Sequence, residues 1–189
     1  MVDYTSSIKE YLELEKKVIS SLDVKSINNI MNEIEEARKR GSNIFICGNG
    51  GSAATASHYG CDFNKGVSGL LDKNTNFICL SDNVPTMMAI ANDYSYDEIF
   101  SYQLRNRLKP GDLLFVISGS GNSKNIIKAM QTAKEKGNKI IGLCGYDGGM
   151  VKEMSDICLH VNINNMQITE DIHMILDHCM MFILSGYNF

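Results

Sequence analysis

Short apolar runs alternate with longer amphipathic stretches through most of this chain. The runs predict buried strands, because each is bounded by glycine, proline or polar residues. Between them the apolar residues recur at helical spacing. Strands that alternate with helices form a parallel sheet with helices on both faces, so we expect an α/β fold, a three-layer α-β-α sandwich. The five predicted strands are residues 44–47, 76–80, 113–117, 139–143 and 157–161.

The first 40 residues carry two helical stripes and no strand pattern. They predict two amphipathic helices that cover the sheet or pack against another subunit. The length fits one domain over 1–189, made of a helical region over 1–40 and an α/β core over 41–189. The stripes comprise Ile8, Leu12, Val18, Ile19 and Leu22, then Ile27, Ile30, Met31, Ile34 and Ala37.

Helical patterns also follow the predicted strands. A helix of small residues comes after the first strand and ends near Asn64. Residues 84–108 have a helical pattern that breaks around 92–94, and another helix covers 125–134. The last helix is expected from Thr169, as its N-cap, to Leu184.

Composition narrows the class of protein. The formal net charge of -4 gives no electrostatic reason to expect nucleic acid as a partner. No apolar run approaches the roughly 18 residues of a membrane span. The first residues lack a basic and apolar signal segment, so we expect a cytoplasmic protein. The six cysteines contain no CxxC pair and are expected to be free thiols.

Glycine- and serine-rich loops follow three predicted strands, at 48–52, 118–123 and 145–149. The carboxyl ends of parallel strands lie at one edge of the sheet, where ligands bind in open α/β folds. Loop 118–123, Ser-Gly-Ser-Gly-Asn-Ser, opens a helix, so free N–H groups and the helix dipole can bind an anion there. Because the loop has no Lys or Arg, dipoles and hydroxyls would hold that anion.

Plainer interpretations of these loops stay open. Residues 48–53, Gly-Asn-Gly-Gly-Ser-Ala, match the GxGxxA pattern of dinucleotide sites, yet they also fit a tight turn without a ligand. The ribose-binding acid expected after the second strand is not convincing, since that strand ends at Ser81 and Asp82. The serines of 118–123 also suit a simple helix cap. Together with Ser52, however, they favour a phosphate site between the two loops.

Ionisable side chains on two predicted helices suggest further chemistry. His58 and Asp62 are four residues apart and share one helix face. They could share a metal or a proton transfer, or lie on a solvated surface. On the last helix, Glu170 and His178 are separated by about 12 Å along the axis, so one metal cannot easily bind both unless Glu170 precedes the regular helix or a second subunit contributes. Two more ionisable residues there are His173, expected to be structural or to support a ligand rather than to bind the metal itself, and Asp177.

Six segments occur with a familiar order and spacing. They are Cys47-Gly-Asn-Gly-Gly-Ser-Ala-Ala54, Ala89-Ile-Ala-Asn-Asp-Tyr94, Asp97-Glu-Ile-Phe100, Pro110-Gly-Asp112, Ile117-Ser-Gly-Ser-Gly-Asn-Ser123 and Gly145-Tyr-Asp-Gly-Gly149. Over nearly the whole chain, this pattern resembles sugar isomerase (SIS) domains, and among them the phosphoheptose isomerases. The resemblance implies conversion of sedoheptulose 7-phosphate to D-glycero-D-manno-heptose 7-phosphate through a cis-enediol, without a nucleotide cofactor.

The resemblance also implies roles for individual residues. A homotetramer and a divalent metal, usually zinc, are expected, and we favour sites assembled at subunit interfaces. The implied phosphate-binding residues are Ser52, Ser118, Ser120 and Ser123. The implied sugar contacts are Asn49, Gly50, Gly51, Asn92 and Asp93, and Gly119 and Glu170 are also expected to contact substrate. The implied metal ligands are His58, Asp62, Glu170 and His178, of which Asp62 and His178 are the expected catalytic acid and base.

Three residues depart from the pattern of the family. Asp62 stands where the family usually has Glu, and a helix shift could absorb the shorter side chain or the change could impair the reaction. Glu170 stands where the family usually has Gln; the set of two histidines and two carboxylates should bind zinc at least as well. Ile168 stands in place of an Arg.

The sequence therefore predicts an aldose–ketose isomerase acting on a sugar phosphate. Two other functions stay open: a non-catalytic SIS adaptor of the replication-initiator-associating type, and a protein that senses a sugar phosphate without converting it. Adaptor relatives tend to lack the acidic partner and the second histidine. Asp62 and His178 are both present here, which favours the enzyme.

Overall fold

Two helices precede the sheet, as the apolar stripes predict. The computed structural model describes residues 1–70 and 73–186, so parts of the expected 1–189 domain lie outside the described residues. Helix α1 spans Thr5–Ser20 and α2 spans Val24–Arg40. The Asp23 carboxylate caps α2 by accepting a hydrogen bond from the Lys25 N–H, and Gly41 ends the helix at a φ of 72°.

The sheet has five strands within the described residues, all parallel, in the order β2-β1-β3-β4-β5. Each end agrees with its prediction to within one residue. The chain leaves β1 toward one edge and returns to the other side of β1 at β3, so the connections diverge between these two strands. Such a switch point opens a crevice at the carboxyl ends, where ligands bind. The strands are β1 (Ile44–Gly48), β2 (Phe77–Cys79), β3 (Leu113–Ser118), β4 (Lys139–Cys144) and β5 (Ile157–His160).

Helices cover both faces of the sheet, which confirms the three-layer prediction. The α-helices after β1 are α3 (Gly51–Cys61), α4 (Val84–Asp93), α5 (Ser101–Arg107), α6 (Lys124–Glu135), α7 (Gly149–Met154) and α8 (Met166–Leu184). Alternate residues of β1 point to opposite faces: Ile44 and Ile46 pack with α2, α3 and α8, whereas Phe45 and Cys47 pack with helices that include α5 and α6.

Two helix ends differ from the sequence prediction. The expected N-cap Thr169 is wrong: α8 begins three residues earlier, and the Asn165 side chain accepts the hydrogen bond from the Ile168 N–H. Thr169 is buried inside the first turns of α8, and its hydroxyl donates to the Asn165 carbonyl oxygen. At its C-terminal end α3 continues into a π-helical segment, Asp62–Val67. In the described part of the chain, no helix has the length and apolar character needed to cross a bilayer.

The loops at the carboxyl edge pack closely against one another. The Gly145 N–H donates to the Gly119 carbonyl oxygen at 2.9 Å, and the Val151 N–H donates to the Gly121 carbonyl oxygen at 3.0 Å. Gly121 has a φ of 66°, and a Cβ there would lie 2.1 Å from the Gly148 carbonyl oxygen. A larger residue at this position would push the two loops apart. The fold thus holds loop 118–123 against loop 145–149.

Candidate active site

Loops 48–52 and 118–123 enclose a cavity of about 140 Å³ at the switch point, which we call the serine cavity. The structure brings together most of the residues that the sequence predicts for phosphate and substrate binding. No Lys or Arg is among the described residues that line the cavity. The lining residues are Asn49, Ser52, Ile117, Ser118, Gly119, Ser120, Ser123, Met166 and Glu170.

Two helices begin at the serine cavity. Helix α3 begins beside Ser52, and α6 begins just after Ser123. Neither helix has a side-chain hydrogen bond at its N-cap residue, Gly50 or Ser123. The hydroxyl of Ser123 is therefore not used as a cap, contrary to the plainer interpretation of this serine. First-turn N–H groups and the positive helix ends favour an anion here.

The Glu170 carboxylate also lies at the serine cavity. A Cβ built on Gly51 would be 2.5 Å from either carboxylate oxygen of Glu170, so Gly51 leaves the room that this side chain occupies. A carboxylate at the start of α3 interacts favourably with the helix dipole. The same charge would repel a phosphate bound nearby, and the anion has to be accommodated beside Glu170.

A hydrogen-bonded pair that sequence reasoning missed fixes one wall of the serine cavity. The side-chain amides of Asn49 and Asn125 donate to each other's oxygens at 2.9 and 2.8 Å, and the Tyr96 hydroxyl donates to Asn49 Oδ1. Asn125 is buried. It ties loop 48–52 to the start of α6, so it orients a predicted sugar contact. One signal in the sequence could have suggested this contact: loops 48–52 and 118–123 are expected at the same edge of the sheet.

A second cluster forms where α3 packs against α8. The Nε2 atoms of His58 and His178, 120 residues apart in the chain, lie 3.1 Å from each other. Asp62 Oδ2 is 3.5 Å from His58 Nε2 and 4.0 Å from His178 Nε2. Three of the four predicted metal ligands are thus neighbours. Asp62 opens the π-helical segment, a feature often found at functional sites.

Asp177 completes this cluster, although no role was predicted for it. Its side chain is fully buried, and Oδ2 lies 4.0 Å from His58 Nε2. Burial, with an added contribution from the charge of Asp62, raises the pKa of Asp177 from 3.8 to about 8. We call His58, Asp62, Asp177 and His178 the histidine–aspartate group; one ligand atom from each lies within 4.8 Å of all the others. Imidazole nitrogens and carboxylate oxygens are donors that suit zinc and other divalent metals.

Glu170 does not belong to the histidine–aspartate group. The idea that it precedes the regular helix is wrong, because α8 already begins at Met166. Eight residues of helix separate Glu170 from His178, which is about 12 Å along the axis. Glu170 lines the serine cavity instead. Its role as a metal ligand stays a prediction. Ile168, which replaces the family's Arg, is buried in the first turn of α8.

The other histidines lie outside the group. His173 is fully buried, and burial lowers its pKa to about 4, in keeping with the expected structural role. His160 at the end of β5 is within hydrogen-bond distance of the Tyr146 carbonyl oxygen, at 2.9 Å. Neither contributes to the serine cavity or to the histidine–aspartate group.

Four predicted substrate contacts are not among the residues that line the serine cavity: Gly50, Gly51, Asn92 and Asp93. Asn92 and Asp93 are exposed at the end of α4, and the Asn92 amide donates to Asp93 Oδ1 at 2.9 Å. Gly50 borders a neighbouring, mainly apolar cavity that also includes Met87 and Tyr96. The roles of all four residues stay predictions.

Comparison with known proteins places these features in a family. The SIS domain family matches residues 3–145. The chain is 36% identical to a phosphoheptose isomerase of Aliarcobacter butzleri over an alignment of 189 positions that covers 95% of each chain. It is 37% identical to a probable phosphoheptose isomerase of Thermoplasma acidophilum over 90% of this chain and 93% of the relative.

Solved structures of similar proteins agree with these matches. A phosphoheptose isomerase from Neisseria gonorrhoeae superposes with a TM-score of 0.86 and 29% identity, covering 97% of each chain. One from Francisella tularensis gives a TM-score of 0.89 and 26% identity, covering 98% of this chain and all of the other. The similarity therefore extends over the sheet, the helices on both faces and the N-terminal helices.

Proposed function

Because the chain belongs to the SIS-domain family and, within it, to the phosphoheptose isomerases, we propose that it interconverts a ketose phosphate and an aldose phosphate. The substrate that this membership favours is sedoheptulose 7-phosphate, converted to D-glycero-D-manno-heptose 7-phosphate through a cis-enediol or enediolate. The observation that carries the proposal is the pairing of the serine cavity with a cluster of histidines and carboxylates on α8 and on α3 with its π-helical continuation.

The serine cavity binds the phosphate in this proposal. Hydroxyls from both loops and the N-termini of α3 and α6 supply donors without a basic side chain. Ser52 and His58 are six residues apart on α3, which is about 9 Å along the axis. That separation suits an open-chain sugar whose phosphate and carbonyl lie at opposite ends. The phosphate then fixes which carbon atoms face the histidine–aspartate group. The proposed substrate-binding residues are Asn49, Gly50, Gly51, Ser52, Asn92, Asp93, Ser118, Gly119, Ser120, Ser123 and Glu170.

Proton transfer is assigned to Asp62 and His178. One of them removes a proton from the carbon beside the carbonyl, and the other protonates the oxygen or the neighbouring carbon. A divalent metal, zinc at one per subunit, would be held by His58, Asp62 and His178, and it would polarise the carbonyl oxygen of the substrate. Asp62 and His178 would then transfer protons through atoms that are not bound to the metal. Because the reaction moves a hydrogen within one molecule, no nucleotide cofactor is needed.

We also propose a cytoplasmic homotetramer with its sites at subunit interfaces. Helix α1 exposes apolar side chains, among them Ile8 and Leu12, at 57% and 55%. Such a face is a candidate contact between subunits. Asn92 and Asp93 could then reach a neighbouring subunit's site. The six free cysteines are consistent with a reducing compartment.

Proton exchange tests the proposed reaction most directly. Sedoheptulose 7-phosphate is incubated with the protein in D₂O, with added zinc and with a chelator, and deuterium entry at C1 is followed by NMR. The matched control is Asp62→Asn, which keeps the shape of the side chain and loses its basicity. Exchange by wild-type protein and none by the variant supports the proposal, whereas no exchange under either condition contradicts it.

A binding protein without catalysis makes a different prediction in the same experiment. The serine cavity is formed by described residues of one chain and does not depend on the histidine–aspartate group. A sensing protein would therefore be stabilised against heat by the sugar phosphate while exchanging no deuterium. Stabilisation in a melting curve recorded with the substrate identifies the sensing function if no deuterium is exchanged, and the isomerase if deuterium enters at C1.

A further inference from the structure

Asp177 is the least expected member of the histidine–aspartate group. It is fully buried, and neither carboxylate oxygen has a hydrogen-bond partner among the described residues. Buried polar groups are nearly always paired, and an unpaired buried carboxylate is costly. The carboxylate faces the group, since Oδ2 lies 4.0 Å from His58 Nε2. An uncompensated acceptor aimed at three other ligand atoms points to a cation between them.

The spacing of the four ligand atoms fits such a cation. A tetrahedral zinc ion with bonds of about 2.0–2.2 Å holds its ligand atoms roughly 3.3–3.6 Å apart. The distances from His58 Nε2 are 3.1 Å to His178 Nε2, 3.5 Å to Asp62 Oδ2 and 4.0 Å to Asp177 Oδ2. Small side-chain movements bring all four into that range. Two imidazole Nε2 atoms at 3.1 Å also need something between them, either a shared proton or a metal.

We propose that Asp177 is the fourth protein ligand of the metal, so that one chain supplies a complete set of two histidines and two aspartates. This inference rests on the proposed metal-assisted isomerase. It assigns to Asp177 the position that the family resemblance gives to Glu170. Glu170 stays at the serine cavity, about two helical turns away, and acts on the substrate end of the site.

A purely structural Asp177 explains less of the geometry. As a neutral carboxyl group it would bring an O–H donor that lacks an acceptor within hydrogen-bond distance. On α8, Leu176 and Met180 are apolar and buried. His173, four residues before Asp177, is also buried, and neither of its ring nitrogens is hydrogen-bonded to a described residue. These residues therefore give the carboxyl group no hydrogen-bond partner. A metal bound by the histidine–aspartate group would give the buried carboxylate the partner that it lacks, because the metal pairs it with a positive charge.

Metal titration of three carboxylate-to-amide variants tests the proposal without any assay of the reaction. Chelator-treated protein is titrated with Co²⁺, whose visible absorption intensifies in four-coordinate sites, and zinc affinity is then measured by competition with a chromophoric chelator. Asp177→Asn should weaken zinc binding at least about tenfold and change the Co²⁺ spectrum, since even losing a residue that only orients a ligand costs 10–100-fold. Glu170→Gln should leave the affinity within about twofold of wild type.

The matched control is Asp171→Asn, on the same helix, whose carboxylate instead accepts a hydrogen bond from the Tyr11 hydroxyl. It reports the effect of losing one negative charge from α8 and should not alter the Co²⁺ spectrum. Wild-type affinity and spectrum in Asp177→Asn overturn the proposal, as does a loss confined to Glu170→Gln. Melting of each metal-free variant is recorded first, and Asp177→Ala replaces the amide if that variant does not fold. Deuterium exchange by the wild-type protein is measured separately. Its absence would contradict the proposed isomerase, whereas the metal titration tests the role of Asp177.

Discussion

The serine cavity and the histidine–aspartate group share helices α3 and α8 but position their polar atoms by different means. The cavity takes its donors from loops at the ends of neighbouring strands and from helix N-termini. The group takes its atoms from side chains on α8, in the last turn of α3 and at the start of the π-helical segment, and His58 and His178 are 120 residues apart in the chain. One region therefore depends on sheet topology, and the other depends on how two helices face each other.

The two regions should consequently respond differently to substitution. Several donors share the anion in the serine cavity, so the loss of one leaves the others in place. In the histidine–aspartate group, Asp62 and His178 are each proposed for both metal binding and proton transfer, and the full burial of Asp177 keeps water from taking its place. We expect large effects of single changes in the group and smaller ones in the cavity.

The largest effect is expected for Asp62→Asn and His178→Ala. Each removes a proposed proton-transfer group, which is worth about 10²–10⁴-fold in rate. Both residues reach the surface, with side-chain exposures of 16% for Asp62 and 58% for His178, so folding should be retained. Steady-state kinetics give kcat, and circular dichroism checks the fold. Full activity in either variant would remove the contrast between the two regions.

A second prediction concerns the contact that holds the cavity loops. Gly121→Ala places a Cβ 2.1 Å from the Gly148 carbonyl oxygen at a φ of 66°. Urea unfolding should show a loss of stability of about 1–3 kcal/mol from the overlap, beyond the cost of the backbone conformation. Gly137→Ala is the matched control, because Gly137 has a φ of 72° with nothing within 4 Å of its Cβ position. Equal losses in the two variants would mean that the loop contact is not rigid.

The third prediction uses pH to test burial in the histidine–aspartate group. In metal-free protein the pKa of Asp177 is raised to about 8 from 3.8, so between these values the folded state holds a proton that the unfolded chain has lost. The free energy of unfolding therefore falls as the pH rises toward 8. The lowered pKa of His173, about 4 instead of 6.5, acts in the opposite direction only below about pH 6.5.

Between about pH 6.5 and 8, only Asp177 of these two residues contributes, because His173 is largely neutral in both the folded and the unfolded state. The rise in pH should lower the free energy of unfolding by about 2 kcal/mol. Urea unfolding of chelator-treated protein at the two pH values measures the change. Asp177→Asn should lose this dependence, since its amide does not titrate. A fall of the same size in the variant would assign the pH dependence to other residues.

The smallest effect is expected for Ser123→Ala at the serine cavity. Its hydroxyl makes no cap for α6, so its removal should not destabilise the helix. Losing one hydrogen bond to a charged phosphate costs about 1.5 kcal/mol, or roughly tenfold in KM, with kcat nearly unchanged. Ser20→Ala, exposed on α1, is the control. A large fall in kcat would show that the cavity also shapes the chemistry.

Much of the fold could be predicted from the chain, because strand and helix patterns are local. The five strands were located to within a residue, and the clustering of Ser52 with loop 118–123 followed from the rule that parallel strands end at one edge. Thr169 was wrongly chosen as a cap because Asn165, three residues earlier, serves that purpose. Periodicity alone does not distinguish two such candidates.

Site residues could be predicted where they are close together in the chain or where the family resemblance implies them. His58 and Asp62 share a helix face by spacing, and the resemblance identified His178 as their partner. Asn125 and Asp177 were not predicted to have these roles. Asn125 acts through a contact with Asn49 across 76 residues, and Asp177 is ionisable on an apolar helix, a pattern that does not reveal what it faces.

The sequence by itself determined the alternation of strands and helices, the loops rich in serine and glycine, and the family. These follow from side-chain periodicity and from residues close together in the chain. Only the tertiary structure decided that α3 and α8 pack so that the Nε2 atoms of His58 and His178 approach to 3.1 Å, with Asp177 buried beside them and Glu170 at the serine cavity. The physical reason is that a helical pattern identifies which residues share a face, whereas the neighbour of that face is set by packing between distant segments.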